Sequence, residues 1–546
     1  MTAMESPATP FPAEIPVLIV GAGPVGMAVA AELGRAGVDC LIVEQGDGTL
    51  DHPRASAINS RTMEFCRRWG IADEVRAVGT PADYPHTSLV VTSLRGFEIA
   101  RIDRPTHGGG GAPLPHTPER PQRCNQIWFN PVLRDVMASQ DSVDFRLNCR
   151  LEAIAPTPKG WRATVTDLAR GVEQTVDARF VVAGCGGRSV LPETIGVRLG
   201  DDTILSHSIN IFFRSPALWS LHDKGKAALT FFIGADGLWG GMAAQDGNAF
   251  WRLTLHGGKD YIDPASVDAE AALLRMFGGD FAHETLNVVP WARREWVADR
   301  FQQGGLFLAG DAAHQLSPSG GFGMNTGMGD AIDLGWKLAA TIAGWGGAGL
   351  ADSYEGERRP VALRNVGEAA DNFRRYEVDE ISHIERPGAT GDAQRAALGE
   401  TFRRTLTRQT VTDGIALGYR YEGSPICLPD GDAPPPDDPG IYTPSSHAGC
   451  RAPHGWLEDG RSVLDLFGDG FVLLRLGRAP PDPGALVRAA AARRLPLIVE
   501  TRGEPALAAL YGRALVLVRP DGHVAWRGNE TPGDALHIID TVRGAV

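Results

Sequence analysis

Gly21, Gly23 and Gly26 stand in the run GAGPVG, directly after the apolar segment Pro16–Val20 and at the start of a helical pattern, Val25–Ala36. Glycines at this spacing suit one kind of chemistry. The first permits a tight turn, the second lets the backbone approach a pyrophosphate, and the third lets helix and strand pack closely. Pro24 and Val25 open the helix, whose N-terminus turns partial positive charge toward phosphates. A second apolar strand pattern, Val38–Val43, ends at Glu44 and Gln45. A carboxylate there is placed to bind ribose hydroxyls. Strand, glycine turn, helix, strand and terminal acid together predict dinucleotide binding.

A second glycine-rich element, Leu306–Asn325, reads LFLAGDAAHQLSPSGGFGMN. A strand pattern ends at Gly310 and Asp311, and Asp311 is placed to accept a hydrogen bond from a sugar-chain hydroxyl. Gly320, Gly321 and Gly323 let backbone amides approach a flat ring, and the helix beginning near Met324 and Asn325 can stabilise negative charge on it. This predicts a second contact region for a large cofactor. No second fingerprint for a nicotinamide cofactor occurs. The Gly108–Gly111 run follows no clear strand and reads as a mobile loop.

Around these motifs the pattern predicts the elements that must carry them. Gln126–Ala138 reads as a helix, and Phe145–Thr166 and Gln174–Ala183 as strands with turns. Residues 86–120 read as loop-rich. From Ser206 to Trp296 the chain turns β-rich and aromatic, with Ile209–Arg214, Ala228–Ile233 and Ala249–Leu255 as strands. That predicts a separate sheet inserted before the return to the first domain at Leu306–Leu308. Helical patterns follow over Gly327–Trp345 and Tyr354–Tyr376. Pro429–Pro439 is a linker by composition. Residues 445–546 read as an αβ module with strands at Phe471–Leu476, Leu495–Val499 and Ala514–Arg519.

Composition narrows the class. The chain has 546 residues, and 53 Lys and Arg against 66 Asp and Glu give a net charge of -13. Binding to nucleic acid by bulk positive charge is therefore not expected. Seven cysteines, an odd number with no CxxC, argue against a disulfide framework or a zinc ribbon, and no metal site is expected. No apolar stretch of roughly 18 residues or more occurs, so no membrane span is expected. Met1–Glu14 lacks the basic and apolar regions of a signal peptide and reads as a short disordered lead. A reducing, cytoplasmic setting fits this.

Taken together, GAGPVG, the turn Gly187-Arg188-Ser189 and GDAAH…P…GGFGMN resemble the FAD-dependent aromatic hydroxylases, the single-component class A flavoprotein monooxygenases. Pro53–Ile71 (PRASAINSRTMEFCRRWGI), RCNQIWFNPVLRDVM and Ser353–Ala362 (SYEGERRPVA) are similar to further family segments. GCRAPHGWL…GRSVLDLFGDGFVLL resembles the thioredoxin-like appendix of the phenol hydroxylase branch. The resemblance implies an α/β fold. A Rossmann-type FAD-binding domain (15–85, 121–200 and 299–395) would carry an inserted mixed β-sheet substrate domain (86–120 and 201–298). A helical segment and linker (396–439) and a thioredoxin-like α/β domain (440–546) would follow. The last, without a CxxC, is expected to be structural or an oligomer contact.

The resemblance also implies roles. Gly21, Gly23, Pro24, Val25 and Gly26 would hold the FAD pyrophosphate, with Glu44 and Gln45 at the adenosine ribose. Arg54 and Gln126 would lie along the cofactor, and Asp311 at its ribityl or pyrophosphate region. Pro318 would lie over the flavin ring near the oxygen-reacting carbon. Gly321 and Gly323 would line the ring's approach, and the amides of Met324 and Asn325 would face its pyrimidine end. NADPH or NADH would visit as a transient electron donor. One oxygen of O2 would enter a small aromatic substrate through a flavin C4a-hydroperoxide. A homodimer is implied as well.

Two positions depart from the family pattern. Cys185 stands where the turn before Arg-Ser usually carries Asp, and a thiol lacks that carboxylate's charge and acceptor oxygens. We read it as a small filler rather than a reactive thiol. Ser56 stands where a phenol hydroxylase-like chain carries an acid, so no phenol-deprotonating base is named, although Arg293 or His207 could orient a phenol. Candidate pocket walls are Phe212, Phe231, Trp239, Phe250 and Trp291, with Arg293. No basic cluster is evident there, which disfavours a di-acid substrate. Baeyer–Villiger oxidation, epoxidation, and a flavin-binding reductase that does not oxygenate remain alternative readings.

Overall fold

The computed structural model describes residues 10–546 except 107, 110–113, 190, 199–202 and 375–380. The first nine residues of the expected lead and part of the Gly108–Gly111 run lie outside this set.

The strand Glu14–Val20 is a β-branched run that buries its last four residues on both faces, as a central strand of a parallel sheet must. It pairs in parallel with Cys40–Val43 on one side and Val172–Ala183 on the other, in register Val17↔Cys40 and Val20↔Ala183. Val143–Arg146 and Leu306–Leu308 extend the sheet, also in parallel. Cys149–Thr157 and Gly160–Asp167 add an antiparallel flap. The parallel arrangement brings the C-terminal ends of the strands Glu14–Val20, Val172–Ala183 and Leu306–Leu308 to one edge, the usual ligand-binding edge of such a sheet. The helices Pro24–Arg35 and Gly323–Ile342 pack together over it, nearly all of their residues buried.

A seven-stranded sheet runs in the order Glu284–Arg294, Ile204–Arg214, Phe250–His256, Gly237–Ala244, Leu229–Gly234, Ser88–Val91, Glu98–Ile102. The last two strands correct the loop-rich reading of 86–120. One face carries Ile209, Ile211, Phe213, Trp251 and Leu253 against the helix Ala269–Phe277. That helix was absent from the β-rich reading, although Asp268 caps it at Ala271 N and Gly278 ends it at φ 89°.

The C-terminal sheet has the order Leu497–Arg502, Phe471–Leu476, Leu515–Val518, Val524–Gly528, with one parallel pair and two antiparallel pairs. A buried ionic group ties it to the first domain. Arg519 donates to Glu357 at 2.5 Å, Asp333 at 2.9 Å and Asp521 at 2.6 Å. Lys337 donates to Asp333 at 2.7 Å and Glu357 at 2.5 Å. All five side chains are buried.

Arg519→Met leaves buried Asp333 and Glu357 to Lys337 and takes from Asp521 its arginine partner. Removing one partner of a buried pair costs about 3–5 kcal/mol. The substitution is expected to lower the urea midpoint of unfolding accordingly, followed by the chain's tryptophan fluorescence, to which Trp336, its ring 5.2 Å from the Arg519 guanidinium, contributes. A second expectation concerns pH. Burial, the largest cause, pushes His222, His454 and His523 down from 6.5 to about 4. The unfolded chain therefore takes up protons first. Stability that is complete above about pH 6.5 is expected to fall as pH drops toward 4, read as a falling midpoint of thermal unfolding.

Candidate active site

The turn after the first strand is built from backbone. Gly21 has φ 99°, and a Cβ there would lie 2.5 Å from Cys185 Cα; a Cβ on Gly26 would lie 2.0 Å from Gly21 O. Gly23 differs. It sits at φ -72°, ψ 175°, and a Cβ there would meet only Gly184 O, at 3.9 Å. The space over Gly23 is open. The helix it caps has no side-chain cap and no acid in its first turn, so its terminal N–H groups remain available to an anion. Glu44 is half-buried beside this turn; its two carboxylate oxygens accept from Ala22 N and Gly46 N, each at 2.9 Å. Gln45 is exposed.

The second glycine turn faces the same edge. Gly321 N donates to Pro318 O at 3.0 Å, Gly320 and Gly321 take φ 103° and 72°, and Pro318 is exposed. A Cβ on Gly323 would meet nothing within 4 Å. The long helix beginning there again has neither a side-chain cap nor an early acid. Asn325 fixes it in place: its Oδ1 accepts from Asn59 N and Thr62 Oγ1, and its Nδ2 donates to Ala57 O and Gly321 O. Gln126 Nε2 donates to Met324 Sδ at 3.5 Å, so the helix Gln126–Ala138 closes on the same point.

Asp311 is exposed at this edge. Desolvation by the surrounding protein raises its carboxyl above the ordinary value, against the opposing charges of His314 and Arg54. Its turn is held from behind. Buried Asp330 accepts from Gly310 N at 3.0 Å, pairs with His314 at 2.7 Å and accepts from Arg358 at 2.8 Å. Arg54 is exposed, and its carbonyl accepts from Arg252 at 3.1 Å. The sequence reading did not single out Asp330, Arg358 or Arg252.

Cys185 Sγ donates to Ser189 Oγ at 2.8 Å, and burial pushes the thiol up to about 11. A thiol so held is protonated and weakly nucleophilic.

Of the expected pocket walls, Phe212 and Phe250 stack at 5.8 Å, with His52 and Trp128 at their edges. Trp291 and Arg293 share the sheet face of Phe212, farther along their strand. Phe231 lies at the far side and packs on Phe402. Trp239 does not join them. A bulge between Phe232 and Ile233 turns it to the opposite face, where it packs on Phe232 and under Arg275. His207 also points to that opposite face and meets Tyr261. The expected lack of basic residues is corrected as well. Arg252 stands directly beside Phe212 in register, and Arg123 approaches the same region from the strand Gln122–Arg123. Alternation within Phe250–His256 could have revealed Arg252. A two-residue strand offers no periodic signal for Arg123.

Comparison with known proteins now bears on this arrangement. The FAD binding domain family matches residues 14–369, and the family described as aromatic-ring hydroxylase, C-terminal, matches 445–544. The chain belongs to the FAD-dependent aromatic hydroxylases, the class A flavoprotein monooxygenases. It is similar to the FAD-dependent monooxygenase apdD of Emericella nidulans, at 32% identity over 94% of this chain and 87% of that protein. It is similar to the tetracenomycin B2 monooxygenase-dioxygenase of Streptomyces olivaceus, at 33% identity over 97% and 98%. Among solved structures, RebC soaked with chromopyrrolic acid and holding 7-carboxy-K252c is 41% identical, covers 98% of this chain and 100% of its own, and superposes with a TM-score of 0.91. FAD is thus the cofactor of this hydroxylase. The two uncapped helix ends and the open space over Gly23 and Gly323 fit it. No helix among the described residues is long and apolar enough to cross a membrane.

Gly23→Val separates fold from cofactor. The backbone there accepts an L side chain, and the new atoms enter the open space over the turn. Circular dichroism is expected to be unchanged while the FAD dissociation constant, measured by equilibrium dialysis, rises roughly tenfold or more. Wild-type affinity in the variant would remove Gly23 from the pyrophosphate site.

Proposed function

We propose that this flavoenzyme inserts one oxygen atom of O2 into an electron-rich phenolic or other aromatic ring, with NADPH or NADH as a transient electron donor. The observation that carries this reading is a single junction. The segment 53–59 is held on one side by the glycine turn and Asn325, and on the other by a sheet face bearing Phe212 and Phe250. An aromatic ring bound against that face would lie next to the ring bound at the turn.

Bound FAD supplies the activation of O2. The chain's own residues do the rest. Gly21, Gly23, Pro24, Val25 and Gly26 receive the pyrophosphate at the first helix end, and Glu44 and Gln45 take the adenosine ribose. Arg54, Gln126 and Asp311 line the length of the cofactor. Gly321, Gly323, Met324 and Asn325 would present the second helix end to the pyrimidine edge, where its partial positive charge would favour negative charge on the ring. Pro318 would cover one face of the ring. Phe212, Phe250 and Trp128 exclude water from the junction. In this reading the FAD-binding domain is discontinuous, the inserted sheet holds substrate, and the thioredoxin-like C-terminal domain is structural. The protein works in the cytoplasm as a homodimer.

The test uses FAD-loaded enzyme, a panel of phenols, hydroxynaphthalenes and polyphenols, and isotopically labelled O2. The expected result is ring-dependent NADPH or NADH oxidation, one labelled oxygen on the ring, and little hydrogen peroxide. Peroxide equal to the nicotinamide consumed with every ring would overturn the proposal.

A further inference from the structure

The helix Ser60–Arg68 carries Arg61, Glu64, Arg67 and Arg68, polar enough for a surface helix, yet Ser60–Cys66 are all buried. One side, with Met63, Phe65 and Cys66, packs in the core of the first domain. The charged side meets the C-terminal module. Arg61 Nη2 donates to Asp521 O at 2.7 Å, and Arg68 Nη1 to Pro520 O at 2.9 Å. Arg67 donates to both oxygens of Asp465, at 2.7 and 2.8 Å. Glu64 lies between two arginines. Arg61 Nη1 donates to its Oε2 at 2.8 Å, and Arg451, from the module, donates to both oxygens, Nε to Oε2 at 3.0 Å and Nη2 to Oε1. Thr117 Oγ1 also donates to Oε1, at 2.6 Å. Burial would raise this carboxyl, but Arg451 and Arg61 hold it below its ordinary value, so it stays ionised. Arg451 is 1% exposed and Glu64 6%. A planar guanidinium paired with both carboxylate oxygens fixes direction as well as distance.

The N-terminal end of the same helix touches the second glycine turn. Asn59, its cap, donates through its backbone N–H to Asn325 Oδ1 at 2.9 Å, and Thr62 Oγ1 donates to the same oxygen at 2.8 Å. Glu64 follows Thr62 by two residues, within one turn of helix. An interior packed this closely passes a displacement on rather than absorbing it. We propose that the C-terminal module is a positioning element of the flavin site: Arg451, through Glu64, sets Asn59 and Thr62 against Asn325 and so holds the helix Gly323–Ile342 in the geometry that receives FAD. The inference rests on the placement of that helix end at FAD given above, and it adds a task to a module read there as structural. Arg451 is a positioning residue, acting on the cofactor only through Glu64 and its helix. Such coupling is reciprocal: bound FAD tightens the seat of the module by the factor by which the seat tightens FAD.

The test uses the full chain. FAD dissociation constants are measured by equilibrium dialysis for Arg451→Met, Arg451→Lys, Leu474→Ala and Gly323→Val, each below its thermal midpoint. Arg451→Met is expected to weaken FAD roughly tenfold or more, the scale of coupling between linked sites, and to shift the visible spectrum of the bound flavin. Arg451→Lys is expected to restore part of the affinity. Leu474, fully buried in the module's own core, is the control. Its substitution is expected to lower the thermal midpoint at least as far while leaving FAD affinity within about twofold. Gly323→Val tests the helix end itself, where a Cβ would meet nothing within 4 Å. Unchanged affinity in that variant would remove the helix end from the FAD site, and the proposal with it. Weakened FAD there with wild-type affinity in Arg451→Met would overturn the positioning proposal alone, as would equal weakening in Arg451→Met and Leu474→Ala. Hydrogen exchange of the wild-type chain needs no variant. FAD is expected to slow exchange at the amides of Ala452 and Val524, which donate to Gly522 O and Cys450 O beside Arg451. Exchange there that is the same with and without FAD would overturn the proposal even where Arg451→Met fails to fold.

Discussion

Four chain segments meet in this protein at distances that only glycine permits. Gly26 sits against the carbonyl of Gly21, and Gly21 against Cys185 Cα. A Cβ on Gly327 would lie 3.0 Å from Gly310 Cα and 2.6 Å from the Val25 side chain. The first helix, the long helix and two strand ends are thus locked by glycine backbone contacts, with the Val25 side chain wedged against Gly310 and Gly327. Interiors pack at crystal-like density, so such a junction has little room to relax. It fixes the two helix N-termini on one edge of the sheet, and every proposed cofactor contact is measured from there.

Charge holds what glycine brings together. Asp330 receives Gly310 N, His314 and Arg358 at once, and His314 and Arg358, opposing the effect of burial, keep its carboxyl down at about 2. The Asp311 turn is therefore set by a residue a full helix segment away. One turn farther along, Asp333 begins the group that includes Lys337, Glu357 and Arg519. Buried ion pairs add little net stability against apolar packing but are costly to break. Their consequence here is geometric: the C-terminal sheet is tied to the helix that carries Met324 and Asn325.

The cofactor half of the molecule was the more legible in sequence, because its signals are local. GAGPVG and GGFGMN encode turn, approach and helix start within a few residues, and helix Gln126–Ala138 matches its expected bounds. The substrate half depends on register, which no local pattern states. A single bulge at Phe232 and Ile233 sends Trp239 to the wrong face for a pocket wall. The strand Gly237–Ala244 is too glycine-rich to show alternation, and Ser88–Val91 joins its sheet from far away in sequence. Arg123 is the extreme case, since its position depends on a two-residue bridge to Ala57–Ile58.

Cys185 and Ser56 stand where the sequence resemblance expects acids, in two different places. Cys185 packs against the Gly21 turn, where burial pushes its thiol up to about 11 and the thiol donates to Ser189 Oγ. Ser56 lies on the segment between the second glycine turn and the sheet, where its hydroxyl accepts from Arg123 at 3.0 Å. Neither can act as a base, since a thiol so held stays protonated and a serine hydroxyl does not ionise at working pH. Each position thus contributes a hydrogen bond where an acid would contribute charge, and the geometry around it rests on the backbone packing of the glycine turns.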